Sequence, residues 1–464
     1  MLTGRPQVIV PARLAPAPAP WTLLGATGVV VLAIALTGLQ SVVTVAAIVV
    51  QIVFFAYFIR HLAFAMAAFR SAPSDLAVPL VETGYQPTVS VIVACRDEIA
   101  VVERLVDGLV RLDYPGEALQ LVIVDDGSSD GTAEMLDRLS RAAPILVVHR
   151  VKGAGGGKPA ALNCGLAEAT GEIVVVFDAD HRPRPDVLRR LVRHFEEDGV
   201  AAVQGRCEIS NTADSPLTEL VGVDYLAGYL VNEYGRQALF NLPAYGGANC
   251  AVRADVLRSI GGWSTASVTE DTDLTIRVVL AGYRVRYDVT AVDEEEGVTT
   301  VARYWRQRYR WARGHQQVWR DYHRPIWRSR QFSFGQKVET TMFLLAFHVP
   351  VISALGLVLA VTWLGGLARA PFGVDLFVLW MLLFLGPLME LGGGLLIARA
   401  DRSRVRGLVY FLPLFFVSIA LCTKAWLDGL IGREYAWEKT ARAGDSKTRR
   451  TQRTARRRRR DHLS

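Results

Sequence analysis

Four places along the chain put charged side chains where apolar segments end. After LVIV comes Asp125-Asp126-Gly127-Ser128-Ser129-Asp130-Gly131. A carboxylate there can accept hydrogen bonds from a base imide or a ribose hydroxyl. The same short polar residues can also simply turn the chain and cap the next helix. After IVVVF comes Asp178-Ala179-Asp180. Two carboxylates one residue apart suit a divalent cation that also takes phosphate oxygens, the usual habit of Mg2+. The alternative is a solvated loop with an N-cap aspartate. Thr269-Glu270-Asp271 precedes a helical run. A carboxylate there could act as a general base, or the three residues could be a capped helix start with acids favourable to its dipole. Gln307-Arg308-Tyr309-Arg310-Trp311 offers arginine for a diphosphate and an indole face for a sugar ring. Arginine and tryptophan also anchor helices at membrane interfaces.

Other chemistries find no support. Lys158 follows the glycine-rich stretch 153–157 and could touch phosphate, but the stretch lacks GxxxxGK[ST]. The eight histidines show no metal-ligand spacing. His181, beside Asp180, reads as a supporting or solvated residue rather than a ligand. There is no GxSxG and no Cys/His nucleophile pair. The five cysteines include no CxxC pair and are odd in number, against a disulfide framework or zinc site.

The elements that must position these residues alternate between strands and helices. Strands are expected at 88–95, 119–124, 146–151, 173–177 and 200–205. Helices are expected at 98–112, 132–142, 159–169 and 185–197. Such alternation implies a mainly parallel sheet with helices on both faces, and ligands at the carboxyl ends of its strands. Residues 206–300 are less regular, with a helix around 217–239 and another opening at Glu270. Residues 299–319 read as an amphipathic interface helix.

Hydrophobic residues make up 51% of the 464. They collect at both ends of the chain, the pattern of a soluble domain held between membrane segments. The runs 21–39 and 42–58 form a helical hairpin rather than a secretory signal. Three more apolar segments lie near 342–364, 374–398 and 408–430. Their charges conflict. If all three cross, the basic loop 399–406 and the Arg-rich tail fall on opposite sides, whereas the positive-inside rule wants both inside. A last segment that is re-entrant, lies flat or crosses twice would remove the conflict. Net charge is +7, much of it in the tail from Arg442 through 456–460. Beside membrane segments this favours anionic lipid headgroups over nucleic acid.

The strings PTVSVIVACRDE, VIVDDGSSDGT, GKPAALNCGL, FDADHRP, TEDTDLTIR and QRYRWARG occur in that order over residues 85–320. Together they resemble the processive family 2 glycosyltransferases, which include cellulose, chitin, hyaluronan and poly-N-acetylglucosamine synthases. The resemblance implies an α/β GT-A fold, a Rossmann-like mixed sheet, between transmembrane helices. It implies an irregular 1–20, a transmembrane hairpin at 21–70 and a cytoplasmic catalytic domain at 85–298. Interface helices carrying QxxRW follow at 299–335, transmembrane segments at 340–431 and a basic tail at 432–464. Asp126, Lys158, Asp178, Asp180, Gln307 and Arg310 would bind a UDP-sugar. Asp178 and Asp180 would hold Mg2+ or Mn2+, with Asp180 the direct ligand. Asp271 would be the general base, and Trp311 and Glu270 would contact the glycan acceptor. The implied reaction is an inverting transfer to a growing β-linked polysaccharide at the cell membrane; the alternative is one sugar added to a lipid carrier. The regulatory domain and FxVTxK-like gating loop of bacterial cellulose synthases are missing, which counts against that member. A scaffold with a dead transferase domain would have lost acids, and Asp126, Asp178, Asp180 and Asp271 are all present.

Overall fold

The computed structural model describes residues 21–81, 84–369 and 376–433; the expected irregular N-terminus and basic tail lie outside these. Eight strands form one sheet, ordered β3-β2-β1-β4-β7-β6-β8-β5. Four of them, β1 (Val89–Cys95), β2 (Leu119–Asp125), β3 (Ile145–His149) and β4 (Ile173–Asp178), run parallel. The rest are β5 (Arg182–Pro183), β6 (Val200–Ile209), β7 (Cys250–Arg253) and β8 (Arg284–Glu295). β7 runs antiparallel to both β4 and β6, so the far half of the sheet is mixed. Apolar cores lie on both faces of the central strands, which is why VSVIVAC and LVIV are almost unbroken apolar runs.

Register decides where the acids fall. Cys95 pairs with Asp125 on one side of β1, and Ala94 with Asp178 on the other. The acidic ends of β2 and β4 therefore stand at one edge, two strand spacings apart, or about 10 Å.

The helices of this domain are α3 (Val102–Val110), α4 (Thr132–Leu139), α5 (Gly157–Glu168), α6 (Val187–Val192), α7 (Pro216–Ala227), α8 (Tyr234–Phe240), α9 (Ala254–Ser259) and α10 (Glu270–Leu280). They are preceded by α1 (Trp21–Thr37) and α2 (Leu39–Asp75), and followed by α11 (Val301–Arg328), α12 (Phe334–Leu345), α13 (Val349–Leu364), α14 (Leu376–Ile397) and α15 (Phe411–Leu430). A π-helical segment, Gly228–Glu233, joins α7 to α8 without a break. Only Gly38, at φ +82°, separates α1 from α2.

Leu39–Asp75, Phe334–Leu364 and Arg404–Leu430 are long and apolar enough to cross a membrane. The third behaves differently from the others. Its start packs on α7, where a Cβ at Gly407 would sit 3.2 Å from Val223. Further on, Leu421, Cys422 and Ala425 pack on Ala312 of α11. At its end, Arg313 of α11 donates to the Arg433 carbonyl at 2.7 Å. Both ends of this segment thus lie against the catalytic domain and its adjoining helix.

Two contacts lock the membrane helices and α11 onto the domain. In the first, Arg60 of α2 donates to both oxygens of Glu339 on α12, at 2.8 and 2.9 Å. A further donation from Arg60 reaches Asn232 of the π segment at 3.0 Å. Both ion-pair partners are buried. The second is steric. Gly314 of α11 faces Thr269 so closely that an added Cβ would lie 2.2 Å from the threonine methyl.

Arg60→Met should cost about 3 kcal/mol by leaving buried Glu339 with Arg236, 3.4 Å away, as its remaining cation, and adding Glu339→Met should recover part of it. Thermal unfolding of the detergent-solubilised protein checks both. Gly314→Ala should cost about 1–3 kcal/mol by overpacking, and Thr269→Ser in the same chain should restore part.

Candidate active site

The carboxyl ends of β1, β2 and β4, the start of α10 and one face of α11 surround a single cavity of about 660 Å³. Asp126, Lys158, Asp178, Glu270, Asp271, Gln307, Arg310 and Trp311 all line it. Residues far apart in the chain are thus brought to one chamber.

Asp126 is held at the end of β2 by its backbone N–H, which donates to the Cys95 carbonyl at 2.7 Å. Its carboxylate pairs with Arg150 and lies 3.6 Å from Arg96. Burial raises its pKa, while the two arginines pull it back. Arg150 also donates to the Gly155 carbonyl at 2.9 Å, tying the glycine-rich stretch to this corner. Gly127 is required here. It has φ +68°, and a Cβ would meet the Lys152 backbone at 2.7 Å.

Lys158, in the first turn of α5, is the hub. Its ammonium lies 2.5 Å from Asp178 Oδ1 and 3.9 Å from Glu270 Oε1, and donates to the Gly247 carbonyl at 3.0 Å. Burial alone would lower its pKa, but Asp178, Glu270 and Asp271 push it up. Glu270 is raised first by burial, against the opposing pull of Lys158 and Arg310.

Asp271 Oδ1 accepts from the Thr272 backbone N–H at 2.6 Å. Its other oxygen faces Gly247, where an added Cβ would lie 3.0 Å away. The Thr269 side chain makes no capping hydrogen bond, so its position reflects packing against Gly314 rather than helix capping. The Gly246–Gly247 turn is braced by buried Gln204, whose side chain accepts from the Gly246 N–H at 2.5 Å.

Asp178 faces the chamber, whereas Asp180 is buried (8% exposed) and is not among the residues lining it. Asp180 instead sits close enough to Asp293 and Glu295 to raise both electrostatically. His181 is not solvated. It is buried, paired with Asp293 and 3.6 Å from Glu295, and those acids raise its pKa against burial. Two carboxylates of the DxD string are hard oxygen donors, the type Mg2+ or Mn2+ takes. Among the described residues no three His, Cys, Asp or Glu side chains converge to hold an ion alone.

On α11, Trp311 turns into the chamber instead of toward lipid. The Arg308 guanidinium stacks 4.3 Å from its ring centroid and pairs with Asp224 of α7. Gln307 Oε1 is buried without a partner. Tyr309 turns the other way, donating to Asp428 of α15 at 2.5 Å.

Sequence reasoning missed Arg150, Arg96, Gln204 and the π-segment wall. Arg150 had a signal, a cation at the end of a strand neighbouring the acidic one. Gln204 had none, because a lone glutamine in a strand looks like any other. Cys95, Cys164, Cys207, Cys250 and Cys422 are free thiols.

Residues 87–314 match the family described as glycosyltransferase like family 2. The chain is 38% identical over 279 residues to the β-monoglucosyldiacylglycerol synthase of Synechocystis, covering 60% of this chain and 58% of that one. It is 27% identical over 281 residues to the poly-β-1,6-N-acetyl-D-glucosamine synthase of Staphylococcus aureus, covering 60% and 64%. The chain therefore spans less than two thirds of either relative. Among solved structures it resembles a mannosyltransferase from Pyrobaculum calidifontis in complex with GDP-Man and Mn2+. That match has a TM-score of 0.56 and 21% identity, covering 83% of this chain and all of that one. Parallel strands ending in acids, the mixed far half of the sheet and the family match agree: residues 87–314 are a family 2 glycosyltransferase domain with the GT-A fold.

Proposed function

We propose that this chain transfers a sugar from a UDP-sugar, with inversion, to an acceptor hydroxyl delivered from the membrane side. The observation that carries this reading is the shared chamber. The acids and cations at the strand ends open onto the same cavity as Tyr57, Phe347, Pro350 and Pro387 of the membrane helices.

In this reading Asp126, steadied by Arg150, accepts hydrogen bonds from the nucleoside. Lys158 and Arg310 face the diphosphate, with Gln307 Oε1 free to accept from donor or acceptor. Asp178 and Asp180 would hold Mg2+ or Mn2+, which would neutralise charge on the departing diphosphate. Asp271 takes the proton of the acceptor hydroxyl as that oxygen attacks the anomeric carbon, and the bond to the diphosphate breaks from the opposite side. One displacement turns an α-linked donor into a β product. Trp311 and Glu270 hold the acceptor ring or head group, and fixing two reactants in one chamber supplies much of the acceleration.

The same machinery serves a growing polysaccharide, the reading favoured by TED and QRYRW together. The two curated relatives, named for a glycolipid and for a polysaccharide, share the sugar transfer and differ in acceptor. Extension of a polymer would yield a ladder of products; a single transfer yields one.

The catalytic domain belongs on the cytoplasmic face, where nucleotide sugars are made. With both ends of the Arg404–Leu430 segment on the catalytic side, this segment lies along the interface. Residues 399–406 and the Arg-rich tail then share the cytoplasmic face, which satisfies the positive-inside rule.

Asp271→Asn should lower kcat by about 10²–10⁴-fold while leaving UDP binding in Mn2+ within about threefold by calorimetry. Undiminished turnover in that variant would remove the assigned base. The wild-type product should carry a β linkage by NMR, and chelation by EDTA should abolish transfer until metal is restored.

A further inference from the structure

The chamber does not end at the catalytic acids. A second cavity of about 300 Å³ adjoins it and shares Asp224, Asn232, Arg308, Phe347, Pro387 and Phe415 with it. Beyond these shared residues the walls are mostly apolar, with Leu220 from α7, Leu391 from α14, and Leu414 and Leu421 from α15. Polar groups gather where the two cavities meet. Asn232 donates to Glu390 Oε2 at 2.9 Å. Glu390 Oε1 lies 2.6 Å from His61 Nδ1, so a nine-tenths-buried carboxylate is held between Asn232 and His61. His61 lines the larger cavity and Glu390 the smaller. An ionisable residue among apolar helices is costly and marks a functional position. Arg60 and Arg236 are held by Glu339 there, which leaves the Asn232–Glu390–His61 group facing the two cavities.

We infer that the acceptor is a hydroxyl-bearing lipid. Its acyl chain occupies the smaller cavity, and its head group is held at Asn232, Glu390 and His61. This rests on the sugar-transfer reading above. A sugar chain could not use the smaller cavity well, since its hydroxyls would be buried against leucine and phenylalanine without partners. An acyl chain makes the opposite match: methylenes against apolar walls, and a polar end where the walls turn polar. The Asp224–Arg308 pair stands at the junction, with Arg308 resting on Trp311, so the head group is directed toward the side of the chamber that carries Asp271.

The test uses the full chain in nanodiscs with a UDP-sugar panel and two acceptors, dioleoylglycerol and cellotetraose. Dioleoylglycerol should be glycosylated with a kcat/KM at least tenfold above that of cellotetraose. Leu414→Trp and Ser418→Phe, which fill the smaller cavity, should each raise KM for dioleoylglycerol at least tenfold. Both should leave donor hydrolysis in the absence of acceptor within twofold. Glu390→Gln should raise the same KM while retaining the wild-type unfolding temperature. Photoreactive dioleoylglycerol should label residues around Leu414 in the wild type and not in either filling variant, whether or not sugar is transferred. Labelling without any transfer would overturn the sugar-transfer reading and leave the lipid site standing. Transfer to cellotetraose with neither labelling nor lipid product, or filling variants with unchanged lipid KM, would overturn the lipid site.

Discussion

The arrangement depends on one partly buried ammonium. Asp178, Glu270 and Asp271 come from strand and helix ends nearly a hundred residues apart, and they converge on one chamber. Two unit charges 4 Å apart interact by about 4 kcal/mol at an effective dielectric of 20. Three carboxylates therefore could not gather here without a cation. Lys158 lies 2.5 Å from Asp178 and 3.9 Å from Glu270, and its third contact, the Gly247 carbonyl, ties it to the turn that faces Asp271. With Arg310, which also acts on Glu270, it offsets part of the cluster's negative charge and ties its members together. Asp178 thus faces the chamber with Lys158 against it, while Asp180 is buried beside Asp293 and Glu295.

Much of this was legible in the residues. β1, β2 and β4 are buried on both faces, so their apolar runs announce them, and the acids that end those runs fall at one edge because the register is parallel. β7 and β8 were not legible. β7 has only four residues. β8 interleaves apolar residues with Arg284, Arg286 and Asp288, which pair with charges on neighbouring elements and hide the strand from a hydropathy reading. The glycine of QRYRWARG carried information that residue type alone could not give. Its value lies in what it lacks, a Cβ that would strike Thr269. Likewise, nothing local announces that residues 402–410 pack on α7 and that α15 packs on α11; those contacts are long-range.

The chamber reaches the membrane helices because of how one continuous helix is wound. Asp224, Tyr225, Gly228, Tyr229, Asn232 and Glu233 all line it, a spacing of four over two steps. In a regular α-helix each step of four advances the face by about 40°, so the third pair would have rotated about 80° away from the first. The π-helical turns from Gly228 to Glu233 carry more residues per turn and cancel that drift. Asp224 therefore meets Arg308 on α11 at one end of the stripe, and Asn232 meets Arg60 and Glu390 on the membrane helices at the other. A helix that kept α geometry throughout would have to give up one of these contacts. Through the π segment a single wall runs from Arg308 of α11 to the buried carboxylate of Glu390 on α14.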